Sequence, residues 1–130
     1  MKRIIIDTNF LLIPFKYRVD IFSEFSRICD FSYGLFIFGQ SIEELKRIVQ
    51  NQSGMDKKAA QFALKLVNLK NIGIIKSPAK DVDSLILADI DKDTIVATQD
   101  LQLKKKLLEK NTPIIILRQK KYFQLIKKAL

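Results

Sequence analysis

The stretch IIIDTNFLL, residues 4 to 12, decides how the rest of the chain is read. Ile4, Ile5 and Ile6 form a continuous β-branched run that stops at Asp7, Thr8 and Asn9. Such a run suits a strand buried on both faces of a parallel sheet. Asp7 then stands where the strand ends, with Asn9 and Phe10 leading into the next segment. Open α/β sheets bind ligands in the crevice beyond the carboxyl ends of their strands, which makes Asp7 a site candidate. On this stretch alone, a helix N-cap or turn aspartate remains an equal alternative.

Outward from this run, strand and helix patterns alternate. Ile21, Phe22, Phe25 and Ile28 fall at helical spacing within Asp20 to Cys29, and Gly34 to Phe38 (GLFIF) reads as a second strand. Ser41 to Gln50 predicts a helix with Ser41 as N-cap and Glu44 three residues on, the capping-box pattern. Residues 51 to 54 break it, and Asp56 to Leu69 resumes with Ala60, Ala63, Leu64 and Val67 on one face. Ile72 to Lys76 reads as a third strand, then a short helix from an Asp81 N-cap through Ile90. Thr94 to Thr98 (TIVAT) is a fourth strand, Asp100 to Lys110 a helix, and Pro113 to Leu117 (PIIIL) a fifth strand. Tyr122 to Leu130 is expected as a last helix. The alternation predicts one domain: a three-layer α/β/α sandwich around a parallel sheet of about five strands.

Composition removes several chemistries. The 130 residues contain no histidine, which excludes imidazole bases, Ser-His triads and His-ligated metals. A single cysteine, Cys29, excludes both an internal disulfide and a Cys-rich zinc site, and fits a reducing cytoplasm. The four glycines are scattered and build no phosphate-cradling loop. Asp7 interrupts the apolar start after three isoleucines, and no run approaches the roughly 18 residues of a spanning helix. A soluble, cytoplasmic protein without membrane partners is therefore expected. The 23 Lys and Arg against 14 Asp and Glu give +9, which points to a polyanionic partner, nucleic acid before membrane.

The carboxylates sort by sheet edge. Asp7 ends the first strand, Glu44 lies in the helix after the second, Asp83 in the helix after the third, and Asp100 just beyond the fourth. All four fall at the carboxyl edge, whereas Asp89, Asp91 and Asp93 precede the fourth strand and fall at the opposite one. Helical angles place Glu44 beside the stripe of Ile42, Leu45, Ile48 and Val49, with Glu43 facing solvent. Asp83 points among Val82, Leu85, Ile86 and Ile90. The capping bond is the competing use of Glu44. Carboxylates gathered in one cleft repel by about 4 kcal/mol per pair at 4 Å and an effective dielectric of about 20. A bound cation relieves that repulsion, and an all-oxygen shell selects Mg²⁺ or Mn²⁺ over zinc. Such ions activate water and hold a phosphodiester oxygen without a histidine. With these four acids confined to a notch, the rest of the chain carries 23 cations against 10 acids, or +13. That distribution suits a protein that grips a phosphate backbone at its rim.

Taken in order, IIIDTNFLL, SIEEL, VDSLIL, IVATQDLQLKKKL and PIIILRQKKYF resemble a PIN-domain nuclease over nearly the whole chain. The likeness is greatest to the archaeal branch related to the small-subunit ribosomal RNA processing endonuclease. The toxin branch of toxin–antitoxin pairs is more distant. The resemblance implies Mg²⁺- or Mn²⁺-dependent RNA hydrolysis leaving a 5′-phosphate, with Asp7, Glu44, Asp83 and Asp100 as catalytic and metal-holding acids. Thr8, Asn9 and Thr98 match positions that orient ligands or substrate. It implies RNA as partner, a ribosomal RNA precursor in one branch and an antitoxin protein in the other, with a homodimer as a frequent assembly. Two departures stand out: Ser84 and Gln102 occupy positions where relatives often carry further acids, which puts a second metal in doubt.

Other features have plainer readings beside functional ones. Lys104 and Lys105, with Lys106, flank the acids and suit phosphate contacts or a solvated helix face. Arg118, with Lys120, Lys121 and Tyr122, suits RNA backbone and stacking contacts. Phe10, Phe15 and Tyr17 are read as core before base platform. Asp89 to Asp100 imitates a calcium loop, but Thr94 stands where the sharp turn needs glycine. Two rival functions remain: a catalytically silent RNA-binding or assembly module, and a phospho-acceptor receiver domain, which the basic charge fits poorly.

Overall fold

The computed structural model describes residues 1–127. Its core is a six-stranded sheet in the order β3-β2-β1-β4-β5-β6. The strands are β1 (Lys2–Ile6), β2 (Tyr33–Phe38), β3 (Gly73–Ile75), β4 (Thr94–Ala97), β5 (Ile114–Arg118) and β6 (Tyr122–Ile126). All neighbours pair in parallel except β5 and β6. A 3₁₀ turn, Thr8–Leu12, runs into α1 (Ile13–Tyr17), followed by α2 (Ile21–Ile28), α3 (Gly39–Asn51) and α4 (Gly54–Leu69). Two more helices, α5 (Val82–Ala88) and α6 (Leu101–Glu109), complete the chain's helical set among the described residues.

β1 explains the layering. Its side chains alternate across the sheet: Ile4 and Ile6 enter a core with Phe10, Phe25, Leu45 and Ala63, on the side of α1 to α4. Ile5 enters a second core with Val82, Ile86, Leu103 and Leu107 from α5 and α6. All three isoleucines are fully buried, which a strand sandwiched between two helical layers requires. From β1 the chain builds outward through β2 and β3 on one side, then returns to place β4 and β5 on the other. The strand order therefore reverses between β1 and β4, and a crevice opens there at the carboxyl edge.

The three-layer α/β/α expectation holds, and the expected break between α3 and α4 falls at Gln52 and Ser53, with α4 starting at Gly54, whose φ is 65°. The opposite-edge acids are tied down as structure: Arg3 pairs with Asp89 at 3.0 Å and Asp91 at 3.4 Å, and Lys2 with Asp93 at 3.7 Å. No helix among the described residues is long and apolar enough to cross a membrane.

The expected last helix is wrong. Residues 122–126 form an antiparallel strand against β5, raising the strand count to six, and positions 128–130 of that helix lie outside the described residues. The physical reason is the turn. Gln119 and Lys120 both adopt left-handed backbone, φ 52° and 56°, and Lys121 N–H bonds to the Arg118 carbonyl at 2.9 Å. Two consecutive left-handed residues make the turn whose twist matches a hairpin, ordinarily written Asn-Gly. Gln-Lys conceals that signal. Behind it, Phe123 is buried among Phe10 and Phe25, with ring centroids 4.9 and 5.0 Å away.

Since left-handed backbone costs ordinary residues roughly 1–2 kcal/mol each, Gln119→Asn combined with Lys120→Gly is expected to stabilise the fold by about 1 kcal/mol or more. Thermal unfolding should show a Tm several degrees higher; an unchanged or lower Tm would contradict this turn.

Candidate active site

Asp7 arrives at the crevice because β1 delivers it there. Its backbone N–H continues the sheet by bonding the Ala97 carbonyl at 3.0 Å, which brings the ends of β1 and β4 together. The carboxylate is only 5% exposed. One oxygen accepts the Thr8 N–H at 2.8 Å and the other the Thr98 hydroxyl at 2.8 Å. The Thr98 oxygen in turn accepts the Asp100 N–H at 3.1 Å. Asp100 caps α6 through the Leu103 N–H at 2.8 Å. A buried threonine thus links the acid ending β1 to the acid starting α6.

Glu44 is held by a second relay. The Thr8 hydroxyl lies 2.6 Å from Glu44 Oε1 and 2.8 Å from the Ser41 hydroxyl. With one proton, Thr8 donates to the carboxylate and accepts from Ser41. The predicted capping box does not form: α3 starts at Gly39, and its N-cap, Phe38, supplies no side-chain bond. Ser41 turns inward instead and is completely buried, because the Thr8 hydroxyl offers it a partner there. Glu43 is exposed and Glu44 half-buried, as the helical angles predict.

Asp7, Glu44, Asp83 and Asp100 line one cavity of about 220 Å³, together with Thr8, Asn9 and Asp81. Asp81 is a rim acid that its capping role hid in the sequence. Ser84, the residue standing where a further acid was expected, holds it through both its N–H at 3.0 Å and its hydroxyl at 2.8 Å. The Asp83 side chain makes no hydrogen bond or ion pair among the described residues. On α6, the Lys106 charge lowers the pKa of both Asp83 and Asp81. Arg118 lies at the end of β5, away from the notch lining, and donates from Nε to Gln124 at 2.6 Å.

Like charge dominates the notch. Burial, with Asp83 and Asp100 adding repulsion against the hydrogen bonds of Thr98 and Thr8, lifts the Asp7 pKa to about 6. Asp83 is raised by burial and by Asp100, Asp81 and Glu44. The acids at the opposite sheet edge sit on Arg3 and Lys2; those in the notch have no ion pair among the described residues. As placed, no three His, Cys, Asp or Glu side chains among the described residues converge on one metal position. Carboxylates of like charge gain nothing by closing on one another without a cation between them.

Two outcomes follow. The folded Asp7 keeps its proton to about pH 6 and the unfolded one to about pH 4, so its ionisation destabilises the fold increasingly across that interval. In chelator, Asp7→Asn is expected to stabilise the protein at pH 7 by about 3 kcal/mol and to lose that advantage near pH 4. Urea unfolding at the two pH values checks it, and equal stability of the two proteins at pH 7 would contradict it. Thr8→Val strands the buried Ser41 hydroxyl and should cost roughly 1–3 kcal/mol in the same assay.

The chain matches the family described as PIN like domain over residues 4–120. Ribonuclease VapC4 of Methanocaldococcus jannaschii is 35% identical over 127 residues, covering 96% of this chain and 97% of that one. Ribonuclease VapC9 of Archaeoglobus fulgidus is 28% identical over 118 residues, covering 90% and 84%. The solved structure of the PIN domain endonuclease Utp24 superposes with a TM-score of 0.81 at 18% identity, covering 98% of this chain and 95% of that one, a likeness of fold. The family match across nearly the whole chain, joined to a full-length relative above 30% identity, shows that this protein belongs to the PIN-like domain family.

Proposed function

We propose that the protein is a divalent-metal-dependent endoribonuclease that hydrolyses RNA phosphodiester bonds, with Asp7, Glu44, Asp83 and Asp100 as its acidic set. One contrast carries the reading: acids at one sheet edge are neutralised by Arg3 and Lys2, while those in the notch have no ion pair among the described residues. Relatives named ribonucleases support RNA as the substrate. The rest of the chain, strongly cationic, suits a polyanion.

The donor set fits Mg²⁺ or Mn²⁺, being all oxygen and without imidazole or thiolate. Mg²⁺ keeps several waters and is held by one or two carboxylates, so notch acids spaced around 220 Å³ suffice without direct convergence. When bound, such an ion supplies Lewis acidity toward a phosphodiester oxygen and a more acidic water. The chain's own part is positioning. Thr8 and Thr98 fix the orientation of Asp7 and, through one further bond each, of Glu44 and Asp100. Asn9, exposed at the mouth, orients the substrate. Lys104, Lys105 and Arg118 offer charge to the flanking RNA backbone, with Lys106 nearer the acids.

Two cellular roles compete. Ribosomal RNA processing follows from the branch that the motifs resemble. Toxin-type action, with an antitoxin partner, draws support from the VapC relatives, which align over most of both chains. The Utp24 likeness, at 18% identity, supports the shared fold only.

Asp7→Asn and Asp100→Asn are each expected to lower Mn²⁺-dependent cleavage of single-stranded RNA at least a hundredfold while leaving the circular dichroism spectrum intact. Mn²⁺ should raise the Tm of the unsubstituted protein and not that of Asp7→Asn. Wild-type-like cutting by both variants would refute the assignment. Salt-sensitive RNA binding with no turnover by the unsubstituted protein would establish the silent module instead.

A further inference from the structure

A second concavity adjoins the acidic notch, and Asn9 lines both. Its volume is about 510 Å³, against about 220 Å³ for the notch. Pockets that hold compact organic ligands start at about 300 Å³. The neighbouring groove, and not the notch, reaches the volume of such pockets.

The groove is built from three chain segments. Leu12 and Leu117 contribute apolar surface. Tyr17, at the end of α1, is 39% exposed, contrary to its expected place in the core. The ammonium of Lys120 lies 5.8 Å from the centre of the Tyr17 ring. Gln119 adds an amide, and Gln99 holds this wall in place by accepting the Leu117 N–H at 2.8 Å. The other lysine of the groove, Lys16, is already paired with Asp56 at 2.7 Å, so Lys120 supplies its free positive charge among the described residues.

We propose that this groove is a nucleobase subsite: it takes one unpaired base of the nucleotide next to the cleaved phosphate, stacked on Tyr17. This rests on the ribonuclease reading above. An aromatic face, one cation and two side-chain amides are the complement of a flat heterocycle carrying a phosphate. Lys120 covers the ring in the free protein, and an entering base exchanges that cation contact for stacking while the ammonium turns to the base's phosphate. The amides of Asn9 and Gln119 meet the base edge, so the subsite confers a sequence preference at one position. The hairpin turn places Gln119 and Lys120 in the groove despite their left-handed backbone, a cost that Asn-Gly would avoid. Duplex RNA, whose bases are stacked and paired, does not fit.

The test is binding to catalytically blocked protein. Asp7→Asn is titrated by fluorescence anisotropy with a short single-stranded oligoribonucleotide and with versions carrying one abasic position at each site in turn. One abasic position is expected to weaken binding about tenfold. Adding Tyr17→Ala should cause a similar loss and make the protein indifferent to that abasic position, while Tyr17→Phe restores both. Lys120→Ala should weaken binding and flatten its salt dependence. Independent, additive losses from Tyr17→Ala and the abasic position would overturn the subsite, as would equal affinity for duplex RNA. In either case Mn²⁺-dependent cleavage by the unsubstituted protein would leave the ribonuclease reading standing. No binding and no cleavage of the unmodified oligonucleotide would remove both.

Discussion

The bond from the Thr98 hydroxyl to the Asp7 carboxylate, across the point where the strand order reverses, is the contact on which the site depends. It exists because β1 is buried on both faces and pairs with β4 on one side and β2 on the other. A strand in that position has no freedom in where its last residue lands. The residue after Ile6 must enter the crevice, and here it is an acid. Burial alone would make that acid expensive. Two donated hydrogen bonds offset part of the cost, and the remainder shows in the raised pKa. The protein thus keeps a destabilising group where a purely structural sheet end would have an apolar or uncharged one.

The rest of the notch is organised by the same two threonines. Thr98 reaches Asp100 through its backbone, and Thr8 reaches Glu44 through its hydroxyl, with the buried Ser41 behind it. Asp83 has no such tether, and its placement comes from α5 packing Val82, Leu85 and Ile86 into the second core. The two helical layers therefore each deliver acids to one cavity: Glu44 from the layer of α1 to α4, Asp83 and Asp100 from the layer of α5 and α6. Only a sheet lying between them can bring these together. The gathering of acids at this edge is a property of the three-layer arrangement rather than of any one segment.

Much of this was legible from the residues because burial writes itself into hydrophobic pattern. The isoleucine run located β1, and strands at 34–38 and 94–98 were readable from the same β-branched and aromatic enrichment. The edge to which each acid belongs followed from its order relative to a strand. What escaped was local bonding that competes with propensity. Ser41 and Glu44 spell a capping box, yet both are drawn to Thr8, a partner 33 and 36 positions away that no local pattern discloses. Asp81 was readable as a cap and, through that role, was missed as a rim acid. β6 was hidden by a Gln-Lys turn and by an aromatic segment equally compatible with a helix. Tyr17 looked like core because aromatic residues usually are, yet it is 39% exposed and its ring faces Lys120 from a hairpin turn a hundred residues away.

The proposed ribonuclease chemistry requires a cation among these acids. Crystals soaked in Mn²⁺ and measured at the manganese absorption edge test it most directly. Anomalous density bounded by Asp7, Glu44, Asp83 and Asp100 is the predicted result. Density confined to the loop of Asp89, Asp91 and Asp93, or none at a concentration that supports cleavage, would contradict it.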